Sequence, residues 1–386
     1  MRKKRKMMIT DYDNIILLIY FALIIIGAFM QLNINSVRDN LNIFFKQTVW
    51  LVLSIFSLWF SFKVISIELL RKLIFPFVVI TFLLLLGVAM KAYLAPDSAI
   101  NGSIRSFRVL GINIQPSLIA RVILVLFTAN VLAKKKDWLE ESTPAIFLKN
   151  FNFLLVVISV FYLFILSERH FTPLIISGLT LLWMMILAKI PYRTIGLLIL
   201  IVFLLGVSVL HWGPQYRNSR MNIFKKYSLV LKALNLSEDY DGDNEYQIRE
   251  SLIALASGGL LGRGPNRGLA KHYFLPEAKT DYVFSIIGED FGLWGSLLIL
   301  LAYCALFWRI WRNAFKETDL FVKFAGIGLG MNIFFNAMVN IGVSISALPS
   351  TGVTLPFISY GGTSLLINSI TIGLLLNFSA ERRRVI

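Results

Sequence analysis

The chain has 386 residues, of which 57% are hydrophobic, 13% aromatic and only 16% charged, with a formal net charge of +16. Soluble globular domains carry about a quarter charged residues, so this composition excludes one and makes lipid the solvent. The basic excess matches cytoplasmic loops that retain Lys and Arg, and with no basic groove or base-reading motif a nucleic-acid partner is excluded.

The chain opens on Met1-Arg-Lys-Lys-Arg-Lys6, followed by an apolar run long enough to span and no small-residue cleavage site, which predicts an uncleaved first helix rather than a secretory signal. Runs long enough to cross about 30 Å of hydrocarbon predict spans at about 15–31, 48–62, 73–90, 116–133, 151–166, 171–188, 194–212, 283–308, 324–344 and 363–380. Basic residues cluster at Lys63, Arg71 and Lys72, at Lys134 to Lys136 and Lys149, at Lys189 and Arg193, between Arg309 and Lys323, and at Arg382 to Arg384. Keeping those clusters inside puts both ends in the cytoplasm. The expected fold class is all-α: one polytopic transmembrane domain over 1–386, with about ten helices and a large extracytoplasmic loop, about 213–282, between the seventh and eighth. The lone cysteine, Cys304, lies in an apolar run and allows no intrachain disulfide, and His170, His211 and His272 never take the i, i+4 pairing of a zinc site.

Two connections are long, and long ordered loops are where function concentrates. One runs from about Lys91 to Gln115. The other mixes an acidic stretch, Glu238 to Glu245, with apolar pieces such as Ser251-Leu-Ile-Ala-Leu-Ala256, which predicts short helices lying on or dipping into the membrane surface. A third feature, Leu348 to Gly362, is apolar but broken by Pro349 and Pro356, so it is no straight helix. Non-helical backbone at membrane depth must be satisfied by protein or by a watery cavity, and this segment is expected to line a cavity open to the outside.

Asp281 sits at the lip of the eighth span, where partial desolvation makes a carboxylate a better proton acceptor; a helix N-cap is the alternative use of the same position. Glu277, Glu289 and Asp290 compete for any acid or base role. Arg121, a permanent cation inside the fourth span, must face a polar cavity, a lipid phosphate or a carboxylate, or snorkel to the outer surface. Arg105 and Arg108 extend the same positive face, which suits an anionic substrate. At Tyr360-Gly-Gly-Thr-Ser364 the glycines either let helix-start N–H groups approach an anion or simply let the chain turn with Thr363 as cap. Gly262-Arg-Gly-Pro-Asn-Arg-Gly268 lacks the Gly-Lys-Ser/Thr ending and a flanking strand and helix, so a nucleotide site is rejected, and no Ser-His-Asp set or thiol nucleophile supports acyl chemistry.

Four motifs together resemble the SEDS family (shape, elongation, division and sporulation), the RodA and FtsW type of peptidoglycan glycosyltransferase. They are Leu348-Pro-Ser-Thr-Gly-Val-Thr-Leu-Pro-Phe-Ile-Ser-Tyr-Gly-Gly-Thr-Ser364, Gly258-Gly-Leu-Leu-Gly-Arg-Gly264, Leu275-Pro-Glu-Ala-Lys-Thr-Asp-Tyr-Val-Phe-Ser-Ile-Ile-Gly-Glu289 and Gly111-Ile-Asn-Ile-Gln-Pro-Ser117. The resemblance implies a polymerase of lipid II, the undecaprenyl-diphosphate-linked disaccharide pentapeptide, in the bacterial inner membrane. It also implies a class B penicillin-binding protein transpeptidase and other division or elongation proteins as partners. Carried over by position, the family's aspartate falls on Asp281, which the resemblance makes the catalytic residue; Arg105, Arg121, Glu277, Lys279, Thr280, Ser359, Tyr360, Gly361, Gly362, Thr363 and Ser364 are expected to bind the substrate. Inverting displacement of a diphosphate needs a base for the acceptor proton and positive charge, or a divalent cation such as magnesium or manganese, at the leaving group. Asp281 is expected as the base and Arg105 and Arg121 as the phosphate-side charges, with no metal ligands assigned.

This chain departs from the family pattern at two places. Leu118 and Arg121 stand where the family has Glu and Lys, and Arg169-His-Phe-Thr-Pro173 stands where it has a Pro-Asp-x-Gly-Thr run. Ile286-Ile-Gly-Glu-Asp290 leans toward the division branch. The rival readings are a flippase for the same lipid, which ten spans and an intramembrane cation also suit, and a non-catalytic scaffold for the transpeptidase.

Overall fold

The computed structural model describes residues 7–37, 41–94, 106–109, 112–136, 143–168, 171–200, 222–228, 231, 246–265 and 267–384. The architecture is all-α. Its helices are α1 (Asn14–Val37), α2 (Leu41–Lys63), α3 (Ile67–Leu94), α4 (Pro116–Lys134), α5 (Pro144–Asn150), α6 (Asn152–Ser167), α7 (Thr172–Leu187), α8 (Tyr246–Gly258), α9 (Val283–Lys316), α10 (Leu320–Ser344) and α11 (Gly362–Phe378). Two short antiparallel pairs complete it: β1 (Met7–Asp11) with β4 (Glu381–Arg384), and β2 (Phe107–Val109) with β3 (Ile112–Ile114).

Among the described residues, six helices are long and apolar enough to span, and α5 with α6, bent by 77°, makes a seventh candidate. Helices α7 and α11 are apolar but shorter. Nine of the ten expected spans thus coincide with helices; the remaining one, 194–212, is helical over 192–200 and otherwise lies outside the described residues. Several bounds need correction. Helices α2 and α3 begin seven and six residues earlier than the apolar runs, because polar residues at their ends still make helical hydrogen bonds. Helix α9 runs on to Lys316 and is not straight: Gly292 takes φ 69 and ψ −161, a conformation open essentially to glycine alone.

Apolar side chains face outward as well as inward. On α2, Phe45, Val49, Val52, Phe56 and Trp59 are exposed while Gln47, Ser54 and Ser61 are buried, an arrangement stable only with hydrocarbon as the solvent. The interior is built around α4 and α10, each packed against α7 and against the other, while α11 lies along α2. Tyr20 and Leu23 of α1 are fully buried, so the first helix is a core element. The β1–β4 pairing joins the strand before α1 to the strand after α11.

The Gly258–Gly264 motif explains the break in α9. Leu293 N–H donates to Gly259 O at 2.9 Å, and Arg263 and Gly264 N–H donate to Glu289 and Asp290 O, both at 2.9 Å. The loop supplies the backbone partners that α9 loses at Gly292, and a side chain on Gly262 or Gly292 would strike the opposing backbone. The expected short helix of this loop is α8, which buries Ile248, Ser251, Ala254 and Gly258 and packs against α9. The acidic stretch 238–245 lies outside the described residues.

Candidate active site

The non-helical segment after α10 is held by side chains from three helices. Asn340 Nδ2 donates to Val353 O at 2.6 Å, Asn336 Nδ2 to Thr354 O at 3.2 Å, Gln31 Nε2 to Ile358 O at 3.3 Å and Tyr303 Oη to Pro356 O. Irregular backbone survives at this depth because those carbonyls are paired, and the segment lines a cavity as expected.

That cavity, about 660 Å³, lies between α2, the β2–β3 hairpin, the start of α4, Pro173 of α7 and residues 352–354 and 360–364. Its charged lining residues, among those described, are Lys46 and Arg121, both cations. Arg121 is only 3% exposed, so it does not snorkel. Its Nη1 donates to Asn336 Oδ1 at 3.0 Å, its Nε has no partner, and no carboxylate among the described residues forms an ion pair with it. A buried guanidinium held by a neutral amide keeps its charge for whatever enters the cavity.

The start of α11 forms another wall. Gly361, Gly362, Thr363 and Ser364 line the cavity, and no side chain caps the helix, so its first N–H groups and dipole face an anion-compatible space. Of the two uses open to this segment, Thr363 as cap is the one not taken: its Oγ1 donates to Asn113 O and ties the hairpin to α11. Gly362 is glycine because the Trp50 indole lies directly against its backbone.

Asp281 stands just behind this wall. The N-cap of α9 is Tyr282 and no side chain caps that helix, so the N-cap reading of Asp281 does not hold. Glu277, at φ 52, turns the chain so that its carbonyl accepts from the Thr280 and Asp281 N–H groups, both at 3.0 Å. The next carbonyls meet the glycine segment: Tyr360 N–H donates to Lys279 O at 2.8 Å and Ser359 Oγ to Thr280 O at 2.5 Å. Lys279 Nζ lies 5.8 Å from the centre of the Tyr360 ring. Two motifs separated by some eighty residues are therefore one hydrogen-bonded unit.

The expected site residues divide accordingly. Arg121 and Tyr360 to Ser364 line the cavity; Glu277, Lys279, Thr280 and Asp281 form the adjoining turn, Ser359 bonds to it from the glycine segment, and none of these five is part of the lining; Arg105 lies outside the described residues. Arg108 falls in β2, and Arg169 and His170 are outside the described residues. The competing acids are spoken for. Exposed Glu277 accepts from Thr280 Oγ1 at 2.9 Å, buried Glu289 accepts from the Leu269 N–H at 2.7 Å, and buried Asp290 pairs with Lys271 at 2.8 Å.

Sequence reasoning missed Lys46, Trp50, Gln31, Asn336 and Asn340. A signal existed for two of them: Asn332, Asn336 and Asn340 recur every fourth residue in an apolar helix, which puts three amides on one face.

The model of the FtsW, RodA and SpoVE family, described as cell cycle protein, matches residues 11–384. The chain belongs to this family. Among FtsW-type relatives, the probable peptidoglycan glycosyltransferase FtsW of Geobacter metallireducens is 30% identical over 382 residues, covering 97% of this chain and 96% of that one. The protein of the same name from Enterococcus hirae is 31% identical over 384 residues, covering 96% and 92%. The fold of this chain is shared with a chain of a peptidoglycan synthase complex described as coordinating polymerisation and crosslinking, at TM-score 0.73, 21% identity and 95% and 97% coverage. Thermus thermophilus RodA, the rod shape determining protein, matches at TM-score 0.64, 22% identity and 95% and 96% coverage.

Proposed function

We propose that this chain is a peptidoglycan glycosyltransferase that polymerises lipid II into glycan strands for cell division or elongation, in the bacterial inner membrane with both ends in the cytoplasm. The observation that carries the reading is the cavity whose charged lining is cationic, walled by an uncapped helix start, with Asp281 on the turn hydrogen-bonded to that wall. The names of the FtsW relatives support the same activity.

In this reading the donor diphosphate occupies the cavity. The acceptor hydroxyl oxygen bonds to the donor's anomeric carbon with inversion, the bond from that carbon to the diphosphate breaks, and Asp281 takes the hydroxyl proton. The electron pair leaves with the diphosphate, whose charge meets Arg121, Lys46 and the α11 N–H groups. The cavity lining also includes Val49 and Leu53, 59% and 40% exposed on the lipid side of α2, which suits a polyprenyl tail reaching in from the bilayer. Among the described residues no group of three His, Cys, Asp or Glu comes together, so a magnesium or manganese ion here would be held by the substrate diphosphate with one or two carboxylates rather than by a protein cage. A class B penicillin-binding protein is the proposed partner, in keeping with the synthase complex whose chain shares the fold.

The test uses purified protein with its candidate transpeptidase in liposomes, with lipid II presented on the outer face. Asp281→Asn is expected to lower glycan formation by about 10² to 10⁴-fold, the usual contribution of a general base. An undiminished rate removes that role, and lipid II movement without polymerisation transfers the reading to a flippase.

A further inference from the structure

Two buried carboxamides join the acid turn to the cavity wall, and each does so in the same way. Asn340 of α10 is 1% exposed, and its Nδ2 donates to Asp281 O at 2.8 Å and to Val353 O at 2.6 Å. Gln31 of α1 is fully buried, and its Nε2 donates to Lys279 O at 3.1 Å and to Ile358 O at 3.3 Å. All four partners are backbone carbonyls, which only accept, so each side chain must present its NH₂ to both. The amide oxygens of both residues have no partner, which a buried polar atom tolerates only at a cost. Gln31 and Asn340 thus act through their donors alone, and each spends its two hydrogens on joining the segment around Asp281 to the segment 353–358.

We infer that Gln31 and Asn340 are positioning residues that fix the Asp281 turn against the diphosphate cavity, one from α1 and one from α10. The inference rests on the proposed glycosyl transfer. A base must stand within hydrogen-bond reach of the proton it takes, while the charges that receive the leaving group belong to a different wall. Helix α9 begins after Asp281, and two bonds already tie the turn to the glycine segment, Tyr360 N–H to Lys279 O and Ser359 Oγ to Thr280 O. The clamps add the fixed spacing at Asp281 itself, because Asp281 O and Val353 O share one nitrogen. A loss of either should therefore misplace the base without emptying the cavity of its cations.

Asn340→Asp and Gln31→Glu keep shape while removing the donors; Asn340→Leu and Gln31→Leu remove polarity altogether. In the liposome assay each is expected to lower kcat about 10- to 100-fold, the effect of a displacement of order 1 Å, with KM for lipid II within about threefold. Amide hydrogen exchange supplies a readout that needs no turnover. In the wild type, the Thr280 and Asp281 N–H groups are expected to exchange as slowly as the middle of α10, and in the variants to exchange faster while α10 keeps its protection. Unchanged kcat in all four variants overturns the clamp, and so does a KM that rises in step with the fall in kcat. Fast exchange at residues 280 and 281 in the wild type overturns it as well, even should a variant fail to fold. A wild type that makes no glycan with its partner overturns the glycosyltransferase reading and the catalytic sense of the clamp together, whereas an active wild type with indifferent variants overturns the clamp alone.

Discussion

Two buried cations, Lys271 and Arg121, divide the molecule into a part that is tied down and a part that is left open. Lys271, on the π-helical turn Ala270–Phe274, is fully buried; it pairs with Asp290 at 2.8 and 2.9 Å and reaches Asn33 Oδ1 at 3.2 Å. Asp290 accepts a further bond from Asn33 Nδ2 at 2.6 Å, so the charges cancel among α1, α9 and the loop. Arg121 is almost as deeply buried, yet it is bonded to an amide and lines a cavity. Desolvating an ion is so costly that either arrangement needs a reason: cancellation makes the first a structural tie, and an incoming anion supplies the second.

The comparison breaks most visibly on the structural side. Lys271→Met leaves Asp290 buried without its cation and is expected to cost about 3–5 kcal/mol, read as a fall in the thermal midpoint of the detergent-solubilised protein. Adding Asp290→Leu should recover most of that loss, because a buried pair replaced by apolar groups is close to neutral. Equal losses in the single and double variants would show that the pair is not a closed unit. On the open side the order reverses. Arg121→Met strands no carboxylate and is expected to leave the midpoint unchanged or raised, while glycan formation falls about 10² to 10³-fold through lost stabilisation of the leaving group. Arg121→Lys keeps the charge without the planar fork and should fall between. A large loss of stability in Arg121→Met would erase the distinction between the two cations.

That distinction was only half legible in the sequence. The all-α membrane fold could be read because apolar run length depends on the bilayer alone, and the broken segment around Pro349 and Pro356 announced a cavity by the same logic. Asp281 and Arg121 stood out because ionisable groups near hydrocarbon are rare. Pairing was not legible. Asp290 and Glu289 stayed competitors of Asp281 until the loop brought Lys271 and the Leu269 N–H against them, contacts made across folded loops that no local spacing encodes. Gln31, Asn340 and Lys46 were passed over for the opposite reason, since amides and a single lysine at a helix end carry little cost that composition can flag. Between the two uses open to the glycine segment the sequence could not choose, because the hairpin carbonyl that claims Thr363 belongs to Asn113, far away in the chain.

The cavity wall itself offers a smaller effect. Gly362→Ala adds a methyl where the Trp50 indole already sits, and overpacking of this kind is expected to cost about 1–3 kcal/mol. Replacing Trp50 by Leu in the same chain should restore the thermal midpoint. A tolerated Gly362→Ala without that second change would mean that the α2–α11 contact yields, and that the shape of the cavity is not set by Trp50.

A third buried charge tests whether pairing always means stability. Asp13, 8% exposed beside β1, accepts from Arg309 Nε and Asn313 Nδ2, both at 2.6 Å, and from the Ile15 N–H at 2.9 Å. Burial pushes its carboxyl up, but the bonds from Asn313, Arg309 and the Ile16 N–H, with the Arg309 charge, outweigh that and hold it below its ordinary value of 3.8. A depressed carboxylate contributes stability that is fully present above the unfolded value and is lost as pH falls through the folded one. The gap in thermal midpoint between wild type and Asp13→Asn should therefore be constant at neutral pH and close below about 3.8. It should also be smaller than the Lys271→Met loss, because Asp13 lies at the end of α1 rather than sealed between helices. A gap that persists into strong acid would make Asp13 a hydrogen-bond acceptor whose charge is irrelevant, and would leave cancellation of charge as a property of the Lys271 tie alone.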